Sequence, residues 1–473
     1  MFDPEQFRAN GHALIDLLAD HLQHNLDGQG KVIAWQDPAS AALRWQQPLP
    51  QQPTLSPAAL LATLRDEILP AGLAIHHPRN LGHQVASPLP LAALCDLVAA
   101  LTNQAMAVYE TGPAATLIEH QVIRWMSELV GWDGAGGVLT SGGAQANLTA
   151  LLAARQVCAG GDAWHAGVAN GRPLRILASE YAHYSIARAA GIMGLGANAV
   201  IKVTADAMGG LRPQALAQAH QQLQQDGARI IAVVATAGCT PTGSVDPLAA
   251  IGDYCRAHGL WLHVDGAHGA SALLSSTHRE ALRGIALADS ISWDGHKLLY
   301  MPATVSAVLY REPRDSYAAF AQEASYLFQG KAASEEAWNT SYRTLECTKR
   351  MMGLKLWAAF SLYGSAGLGL LVDQAFATAR RLASKLEAAA DFELLMPPQT
   401  NIVCFRHVPP AGADSNAHQA RLRRTLVQSG AFHLTQVMLH EQLWLRTTLM
   451  NPLTQESDLD ALLDAIRGAE ELQ

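Results

Sequence analysis

The chain has 473 residues, of which 49% are hydrophobic and 16% are charged, so it is globular in composition rather than intrinsically disordered. This length is ample for a large hydrophobic core and for more than one domain. The formal net charge is −8 and no long basic run occurs, which argues against nucleic acid or an anionic membrane as the main partner.

The cysteines and the N-terminus bear on the cellular compartment. Six cysteines are scattered along the chain without a C-x-x-C pair, so we expect neither a metal site nor a dithiol redox motif. Free thiols in a reducing compartment are the simpler interpretation. The first residues lack the basic and apolar regions of a signal peptide, and no apolar stretch is expected to reach the length of a membrane span. These observations predict a soluble cytoplasmic protein with no membrane partner.

Residues 1–79 are predicted to form an N-terminal helical segment. An amphipathic helix is expected over 4–25, because Asp3-Pro4 supplies a cap and a first turn. A second apolar helix is expected near 58–69, after an extended Gln-, Pro- and Ser-rich connection over 36–57. This segment is too thin to bury its own apolar faces, so we predict that it packs on something else, with a partner subunit as the candidate.

Residues 80–354 are predicted to form a large α/β domain. A helix is expected over 115–132, and helices over Pro213–Gln225 and Pro247–His258 separate short runs rich in β-branched residues. The predicted strands are Arg175–Ser179, Ile230–Ala235, Leu260–Val264, Ser290–Trp293 and Thr304–Tyr310. Strands that alternate with helices in this way indicate a mostly parallel sheet covered on both faces.

Residues 355–473 have a different pattern, typical of a smaller α+β domain. A long helix over Leu370–Ala389 precedes candidate strands at Thr400–Arg406 and Gln442–Thr448, and a last helix is expected over 456–471. No internal repeat or low-complexity tract is visible in the chain.

Two strand ends carry the residues that favour a specific chemistry. Asp265 ends the run His263-Val264-Asp265, and Lys297 follows the strand that leads into Asp294-Gly295-His296. In an open α/β sheet, ligands bind outside the carboxyl ends of the strands. Pyridoxal phosphate (PLP) needs a lysine amine for its Schiff base and a carboxylate that keeps its pyridine nitrogen protonated. Taken singly, a surface lysine and a strand-capping aspartate are the simpler interpretations, but the other segments favour the PLP pair.

Two further segments are weak alone and informative in combination. The stretch 140–149 is a Gly-rich turn that opens an apolar helix, and a helix N-terminus with free N–H groups can hold a phosphate. It matches neither the P-loop pattern nor G-x-G-x-x-G, so a plain tight turn stays open as an interpretation. His183 follows a strand and is placed to lay its imidazole over a cofactor ring, although a buried structural histidine would look the same.

In their order along the chain, these segments resemble the group II PLP decarboxylases. The matching segments are 140–155, Ala182-His183, His263–Asp265 and 294–297, and the resemblance extends from Phe7 to Pro452. That family includes the aromatic amino-acid, glutamate, cysteine-sulfinate and 2,4-diaminobutyrate decarboxylases. The resemblance implies PLP as the cofactor and the aspartate-aminotransferase-like fold of type I. It also implies a homodimer with active sites at the interface.

The resemblance implies a role for each matching residue. Lys297 would form the Schiff base with PLP, Asp265 would pair with the pyridine nitrogen, and His183 would stack on the ring and assist catalysis. Further cofactor contacts are implied for Gly143 and Ala144 at the phosphate, and for Thr240, Ala267 and His296.

Two segments resemble parts of the family that act on the substrate. Tyr326, in the loop 324–329, would protonate the α-carbon after carbon dioxide leaves, a task that suits a phenol in a dry site. Arg446 would hold the α-carboxylate, because a guanidinium matches a carboxylate in bidentate fashion. A tyrosine on a packed loop and an ordinary surface ion pair are the alternative interpretations.

The substrate itself is only weakly indicated. His83 and Gln84 are predicted to line the side-chain pocket, where we would expect aromatic residues if the substrate were aromatic. The chain also departs from the common family pattern at Gly266, His268 and Ala144-Gln145. We predict α-decarboxylation of a small L-amino acid with a polar or charged side chain, such as 2,4-diaminobutyrate, glutamate, aspartate or cysteine sulfinate. An aromatic amino-acid decarboxylase, a carbon–carbon lyase, an aminotransferase and an oxidative aldehyde-forming enzyme stay open as alternatives.

Overall fold

The computed structural model describes residues 2–160, 163–169, 171–320 and 338–471, and the chain divides into two compact units. The larger unit comprises Pro88–Phe376 and Pro398–Thr400. The smaller unit comprises Met1–Ser87, Ala377–Pro397 and Asn401–Gln473, so it contains both ends of the chain. The sequence-based division at residues 79 and 354 stays a prediction.

The N-terminal segment is helical, but one of its helices lies within the stretch 36–57 that was predicted to be extended. Helix α1 spans Pro4–Leu26, and the Asp3 side chain caps it by accepting a hydrogen bond from the Glu5 N–H. The remaining helices of this segment are α2 at Pro38–Leu43, α3 at Pro57–Thr63 and α4 at Leu69–Ala71, with a π-helical turn over Leu64–Ile68. The predicted apolar helix at 58–69 is therefore confirmed, with an irregular second half.

A sheet of seven strands forms the centre of the larger unit as far as it is described. Its strands are β1 at Gly136–Thr140, β2 at Leu174–Ser179, β3 at Val200–Val203, β4 at Arg229–Thr236, β5 at Leu262–Asp265, β6 at Ser290–Asp294 and β7 at Ser306–Tyr310. The order is β1-β7-β6-β5-β4-β2-β3. All neighbours from β6 to β3 are parallel, whereas β7 is antiparallel to both β1 and β6. The predicted mostly parallel sheet is confirmed.

The chain from Pro90 to Ala388 also contains helices, several of which connect the strands of this sheet, and the last of which extends into the smaller unit. They are α5 at Pro90–Thr102, α6 at Pro113–Val130, α7 at Gly143–Cys158, α8 at Ala163–Ala166, α9 at Ser185–Ile192, α10 at Pro213–Gln225, α11 at Leu248–His258, α12 at Asp315–Ala318 and α13 at Gly353–Ala388. Short 3₁₀ turns occur at Tyr109–Thr111, Ala197–Ala199, Gly269–Leu274, Arg279–Leu282, Ile285–Leu287 and Thr340–Tyr342. Helix α7 presents small residues to the sheet (Ala146, Ala150 and Ala153, all fully buried), which lets its backbone approach the strands closely.

The smaller unit has its own core. Its antiparallel sheet has the order β10-β11-β9-β8, from strands β8 at Phe392–Leu394, β9 at Ile402–His407, β10 at Thr435–Leu439 and β11 at Gln442–Thr448. Helices α14 at Ser415–Ser429 and α15 at Glu456–Glu471 complete its C-terminal part. Apolar side chains from these elements and from residues 379–386 form one buried cluster, to which Leu81 also contributes. Together the two units confirm the predicted fold class.

Helix α13 is longer than the sequence indicates, since the prediction began it only at Leu370. By length and composition, this one helix among the described residues is apolar enough to cross a membrane, so the expectation that no stretch reaches that length is wrong. The same test is also passed by core helices of soluble proteins, and α13 is interrupted at Gly364, where φ is +65°. Near its start the buried Lys355 ammonium is paired with Asp96. The length of α13 is therefore weak evidence for a membrane span.

Candidate active site

A cavity of about 230 Å³ opens at the carboxyl ends of the parallel strands of the larger unit. It is lined by all eight residues that the sequence predicts to contact a cofactor: Gly143, Ala144, His183, Thr240, Asp265, Ala267, His296 and Lys297. Asn147, Thr236, His268 and Asp294 are among the further residues that line it. Residues that lie 154 positions apart in sequence, from 143 to 297, thus meet in one cavity.

Asp265 is held in a fixed orientation by three hydrogen-bond donors. Its Oδ2 accepts from Asn147 Nδ2 at 3.0 Å, and its Oδ1 accepts from Ser292 Oγ at 3.1 Å and from the Ala267 N–H at 3.2 Å. The carboxylate is 5% exposed, so it needs such partners to remain buried. This geometry presents a fixed negative charge to the cavity, as a pyridinium nitrogen requires.

A second layer of polar side chains supports this carboxylate. Asn147 Oδ1 lies 3.0 Å from His263 Nε2, and His263 Nδ1 lies 2.9 Å from Ser290 Oγ. Burial lowers the pKa of His263 to about 4, so its imidazole is neutral at neutral pH. Neither Asn147 nor His263 was predicted to have a function, although both lie inside segments that match the family.

His183 lies two residues before α9, on the cavity wall. Its Nδ1 is 2.8 Å from Ser185 Oγ, and Asn147 Nδ2 donates a hydrogen bond to the same hydroxyl oxygen at 2.9 Å. Burial lowers the pKa of His183, and the charge of Lys297 lowers it further, while Asp265 opposes both effects. A neutral and oriented imidazole suits stacking on an aromatic cofactor ring.

Lys297 follows β6 and points its ammonium at a buried carboxylate. Lys297 Nζ is 2.9 Å from Asp294 Oδ2, and the Lys297 side chain is 18% exposed while that of Asp294 is only 2% exposed. The neighbouring His296 is fixed by Val305, whose carbonyl oxygen lies 2.9 Å from His296 Nδ1. The amine is therefore accessible from the cavity and held in place by the turn that bears it.

The N-terminus of α7 also lines the cavity, and its first residue, Gly143, packs closely against Asp294. A Cβ atom at Gly143 would lie 2.8 Å from Asp294 Oδ1, so a larger residue there would force the buried Asp294 carboxylate to shift. Because Gly142 and Gly143 have no side chains of their own, neither residue covers the first N–H groups of α7, as an anion-binding helix N-terminus requires.

The residues of this cavity fit PLP. Thr236 Oγ1 is buried on the cavity wall without a hydrogen-bond partner in the described part of the chain, and a bound ligand would satisfy it. An amine, an oriented carboxylate, an imidazole and a helix N-terminus are the groups that recognise the aldehyde, the pyridine nitrogen, the ring face and the phosphate.

Comparison with known proteins decides the family. The pyridoxal-dependent decarboxylase conserved domain matches residues 49–408. The chain belongs to this family. It is 34% identical to human cysteine sulfinic acid decarboxylase over 411 residues, which cover 86% of this chain and 83% of the relative. It is 34% identical to L-2,4-diaminobutyrate decarboxylase of Rhizobium meliloti (strain 1021) over 422 residues, which cover 89% of this chain and 83% of that relative. A crystal structure of mouse CSAD matches with a TM-score of 0.92 and 31% identity over 99% of both chains.

This pyridoxal-dependent decarboxylase is accordingly an amino-acid decarboxylase that uses PLP, and the expectations of family, enzyme class and cofactor are confirmed. The roles of its individual residues remain predictions, although the cavity brings all the proposed cofactor contacts together.

The predicted substrate-binding residues of this decarboxylase lie in the smaller unit. Arg446, on β11, is 5% exposed, and its Nη1 donates to Thr435 Oγ1 at 3.2 Å. Burial lowers the pKa of His83, and the positive charges of Arg446 and Arg423 lower it further. Gln84 has a buried Nε2 donor with no partner in the residues that the structure describes.

His433, which was not predicted from the sequence, packs beside His83. Its ring centroid is 5.6 Å from that of His83, and its Nδ1 is 2.8 Å from Asn80 Oδ1. Burial, His83 and Arg423 together lower the pKa of His433 to about 4. Tyr326, the predicted proton donor, lies outside the described residues.

Proposed function

We propose that this enzyme removes the α-carboxylate of a small L-amino acid with a polar or charged side chain, and that an acidic side chain is preferred. The products would be an amine and carbon dioxide. The proposal goes beyond family membership in naming the substrate class, for which aspartate, glutamate and cysteine sulfinate are the candidates.

Bound PLP supplies an electron-withdrawing ring that accepts the electron pair left at the α-carbon when carbon dioxide departs. Lys297 would bind the cofactor covalently, and the substrate amine would then replace Lys297 on the cofactor. Asp265, held by Asn147 and Ser292, would keep the pyridine nitrogen protonated. His183 would orient the ring from one face. Arg446 would hold the α-carboxylate, and Tyr326 would return a proton to the α-carbon.

The observation that carries the substrate class is the positive charge around His83. The charges of Arg446 and Arg423 both act on this imidazole and disfavour its protonation. An acidic substrate side chain beside His83 would offset these positive charges and favour protonation of the His83 imidazole. A substrate ammonium group there would instead add to the repulsion between positive charges. The buried Gln84 amide donor also suits an anionic acceptor better than a cation.

2,4-Diaminobutyrate is the second candidate, because a relative named for that substrate is as similar to this chain as the one named for cysteine sulfinic acid. Its side-chain ammonium is positively charged and would need a negatively charged group beside it in the pocket. The two candidates are therefore separated by the sign of the side-chain charge.

The test is a panel of cysteine sulfinate, aspartate, glutamate, 2,4-diaminobutyrate, tyrosine and tryptophan, with carbon dioxide and amine measured together. We expect the highest kcat/KM for an acidic substrate and equal amounts of the two products. A preference for 2,4-diaminobutyrate or for an aromatic substrate would refute the substrate class. Amine without carbon dioxide, or a carbonyl product in its place, would refute decarboxylation as the main reaction.

An Arg423→Gln variant tests the electrostatic argument directly, with Arg424→Gln as its control, since Arg424 is exposed on the same helix. We expect Arg423→Gln to raise KM for the preferred acidic substrate by severalfold, and Arg424→Gln to leave it unchanged. Equal KM values in both variants would show that Arg423 does not contribute to the preference.

We further propose that the enzyme is a homodimer in the cytoplasm. Helix α5 exposes Leu94, Leu97, Val98 and Leu101, each by 45% or more. Such a group of apolar side chains is typical of a surface that a second subunit covers. Light scattering coupled to size-exclusion chromatography should give twice the monomer mass. A monomer that is fully active would refute the dimer, and recovery of activity outside the cytoplasmic fraction would refute the location.

A further inference from the structure

A cavity of about 600 Å³ lies within the larger unit and is lined by residues of α6, residues 132–137, Trp338 and Arg343. We call it the α6 cavity. Among the described residues, none lines both this cavity and the candidate active site. Strand β1 starts in the α6 cavity, whereas the turn after its other end leads to Gly143 in the active site. Volumes of about 300–1,000 Å³ are typical of sites that bind small molecules.

Arg343 brings a buried positive charge to the α6 cavity. The residue is 5% exposed, its Nη2 donates to His120 Nε2 at 2.9 Å, and its guanidinium carbon lies 5.3 Å from the centre of the Tyr317 ring. Its Nε has no hydrogen-bond partner in the described part of the chain, and no carboxylate there forms an ion pair with the guanidinium. Burial of a charged group is costly without a counter-ion, so the cavity lacks an anion beside Arg343.

The carboxylates near this arginine do not supply that anion. Glu119, on α6, is paired with Lys349, and both side chains are only 2% exposed. Glu128 and Asp133 line the cavity at exposed positions, and Glu128 lies 3.7 Å from Arg124. The buried side of the α6 cavity is therefore positively charged, and its acidic groups are on the side that faces solvent.

Two further side chains of the cavity have buried polar atoms without partners. Ser127 is 2% exposed, and its hydroxyl has no hydrogen-bond partner among the described residues; the same is true of Gln121 Nε2. Gln121 Oε1 accepts from Arg124 Nη2 at 2.7 Å, so the nitrogen is the end of this amide that is left without a partner. Buried polar atoms almost always have partners, so these two donors and Arg343 Nε together indicate a ligand that supplies acceptors.

The rest of the α6 cavity is apolar and aromatic. Leu117 and Trp338 are 45% and 40% exposed there, and Ile123 and Trp132 are nearly buried. The Trp338 indole packs on the His120 ring, with 4.8 Å between the ring centroids and 40° between the planes. A flat apolar group on the ligand would cover the exposed part of this indole.

We propose that the α6 cavity is a second ligand site, which binds a small organic carboxylate with a flat apolar body. Arg343, Gln121 and Ser127 donate to the carboxylate oxygens, and the body packs on Trp338. A guanidinium beside a neutral donor is a common arrangement for holding a carboxylate. The proposal depends neither on the amino-acid substrate nor on decarboxylation.

The experiment is isothermal titration calorimetry of the PLP-loaded enzyme with benzoate at neutral pH. We expect one saturable site per chain. Benzyl alcohol and benzamidine, which replace the carboxylate with a neutral and a cationic group, should bind about tenfold more weakly or not at all. Acetate and inorganic phosphate should also bind more weakly, because neither covers Trp338. No saturable binding of benzoate, or equal affinity for any of the four other probes, would overturn the proposal.

Variants locate the bound benzoate. Arg343→Gln should raise the Kd about tenfold or more, whereas Arg283→Gln, at an arginine that is 76% exposed, should leave it unchanged. Gln121→Glu is the second variant if Arg343→Gln does not fold. It keeps an oxygen for Arg124 and replaces the free donor with a second carboxylate oxygen, so it should weaken benzoate binding to a similar extent. Wild-type affinity in either folded variant would overturn the proposal.

A carboxylate also suits the active site, where Arg446 would hold the substrate. Arg446→Gln should therefore keep the wild-type affinity for benzoate. Loss of binding in Arg446→Gln, with binding retained in Arg343→Gln, would assign the benzoate to the substrate site and overturn the proposal. Since turnover is not measured, this experiment can fail while the proposed decarboxylation stands, and a different substrate in the activity panel would leave the α6 cavity unaffected.

Discussion

Asn147 Nδ2 donates to Asp265 Oδ2 at 3.0 Å, and both side chains are at least 95% buried. The same amide nitrogen donates to Ser185 Oγ at 2.9 Å, and its oxygen faces His263 Nε2 at 3.0 Å. One amide on α7 therefore connects the carboxylate at the end of β5 with the hydroxyl that contacts His183. This connection links three of the segments that line the cavity.

Replacing Asn147 with Ala should impair both the site and the fold. The change leaves buried groups without partners, which costs about 1–3 kcal/mol in the free energy of unfolding. It also frees the Asp265 carboxylate to reorient, so we expect kcat to fall by roughly tenfold or more. Chemical denaturation and steady-state kinetics measure the two effects. Asn198→Ala, at an exposed position, should change neither. Wild-type kcat in Asn147→Ala would show that Asp265 does not depend on this amide.

Asp265→Asn should abolish most of the activity while the protein stays folded. The amide is neutral and cannot stabilise a protonated pyridine nitrogen, so the cofactor loses its electron-withdrawing power. We expect kcat to fall by about a hundredfold or more, with circular dichroism unchanged. Asp253→Asn serves as the matched control. Near wild-type turnover in Asp265→Asn would mean that Asp265 is only a cap at the end of its strand.

Lys297→Ala should eliminate covalent attachment of the cofactor. The purified wild-type enzyme should absorb in the visible range, and the band should be absent from the variant because no other described lysine lines the cavity. Absorption spectra before and after borohydride reduction measure this. Lys202→Ala, at an exposed position on β3, should keep the band. A band of wild-type intensity in Lys297→Ala would refute the assignment.

The main elements could be predicted because their signals are local. Buried parallel strands read as continuous β-branched runs, and the predicted Ile230–Ala235 lies within the observed β4 at Arg229–Thr236. Strand β1 was missed, since its sequence begins with two glycines. Its partner is distant in sequence, and a Cβ at Gly137 would lie 2.4 Å from the Val308 carbonyl oxygen. The reason for a glycine at position 137 is therefore apparent only from the pairing of β1 with β7 in the folded protein.

The residues of the site could be predicted from the sequence, but the hydrogen bonds and packing contacts between them could not. The motifs identified Lys297 and Asp265, because each follows a recognisable strand. The hydrogen bonds of Asn147 and the approach of Asp294 to Gly143 depend on how α7 packs across the sheet. No local pattern in the sequence specifies that packing, so the polar network around the site was not predicted.

Tyr326→Phe tests the predicted proton donor, which rests on the sequence of the loop 324–329. Removing the hydroxyl should leave PLP binding intact and slow the return of a proton to the α-carbon, so that amine formation falls by about 10²-fold or more. Part of the decarboxylated substrate would then take its proton at the cofactor carbon instead, and hydrolysis by water would give a carbonyl product and leave the amino group on the cofactor. Amine, carbonyl product and carbon dioxide should be followed together, with Tyr363→Phe, at an exposed tyrosine, as the control. Rates and ratios equal to those of the wild type would exclude Tyr326 as the donor.

His120 should make the fold sensitive to acid. Burial, Arg343 and Lys349 lower its pKa to about 4, and its Nε2 lies 2.9 Å from Arg343 Nη2. Between pH 6.5 and pH 4 the unfolded chain therefore binds a proton that the folded protein refuses, so stability falls as the pH falls through this range. The full loss is about 3 kcal/mol for this histidine and is complete only below pH 4.

The measurement is the free energy of unfolding in denaturant at several pH values from 7 to 4. His120→Gln removes the titrating group, so its stability should decrease less steeply over this range than that of the wild type. His12→Gln, at an exposed position on α1, should follow the wild-type curve. The other histidines with lowered pKa values contribute equally to all three proteins, so the difference between the curves isolates His120. Parallel curves for His120→Gln and the wild type would mean that this imidazole accepts a proton in the folded protein as readily as in the unfolded chain.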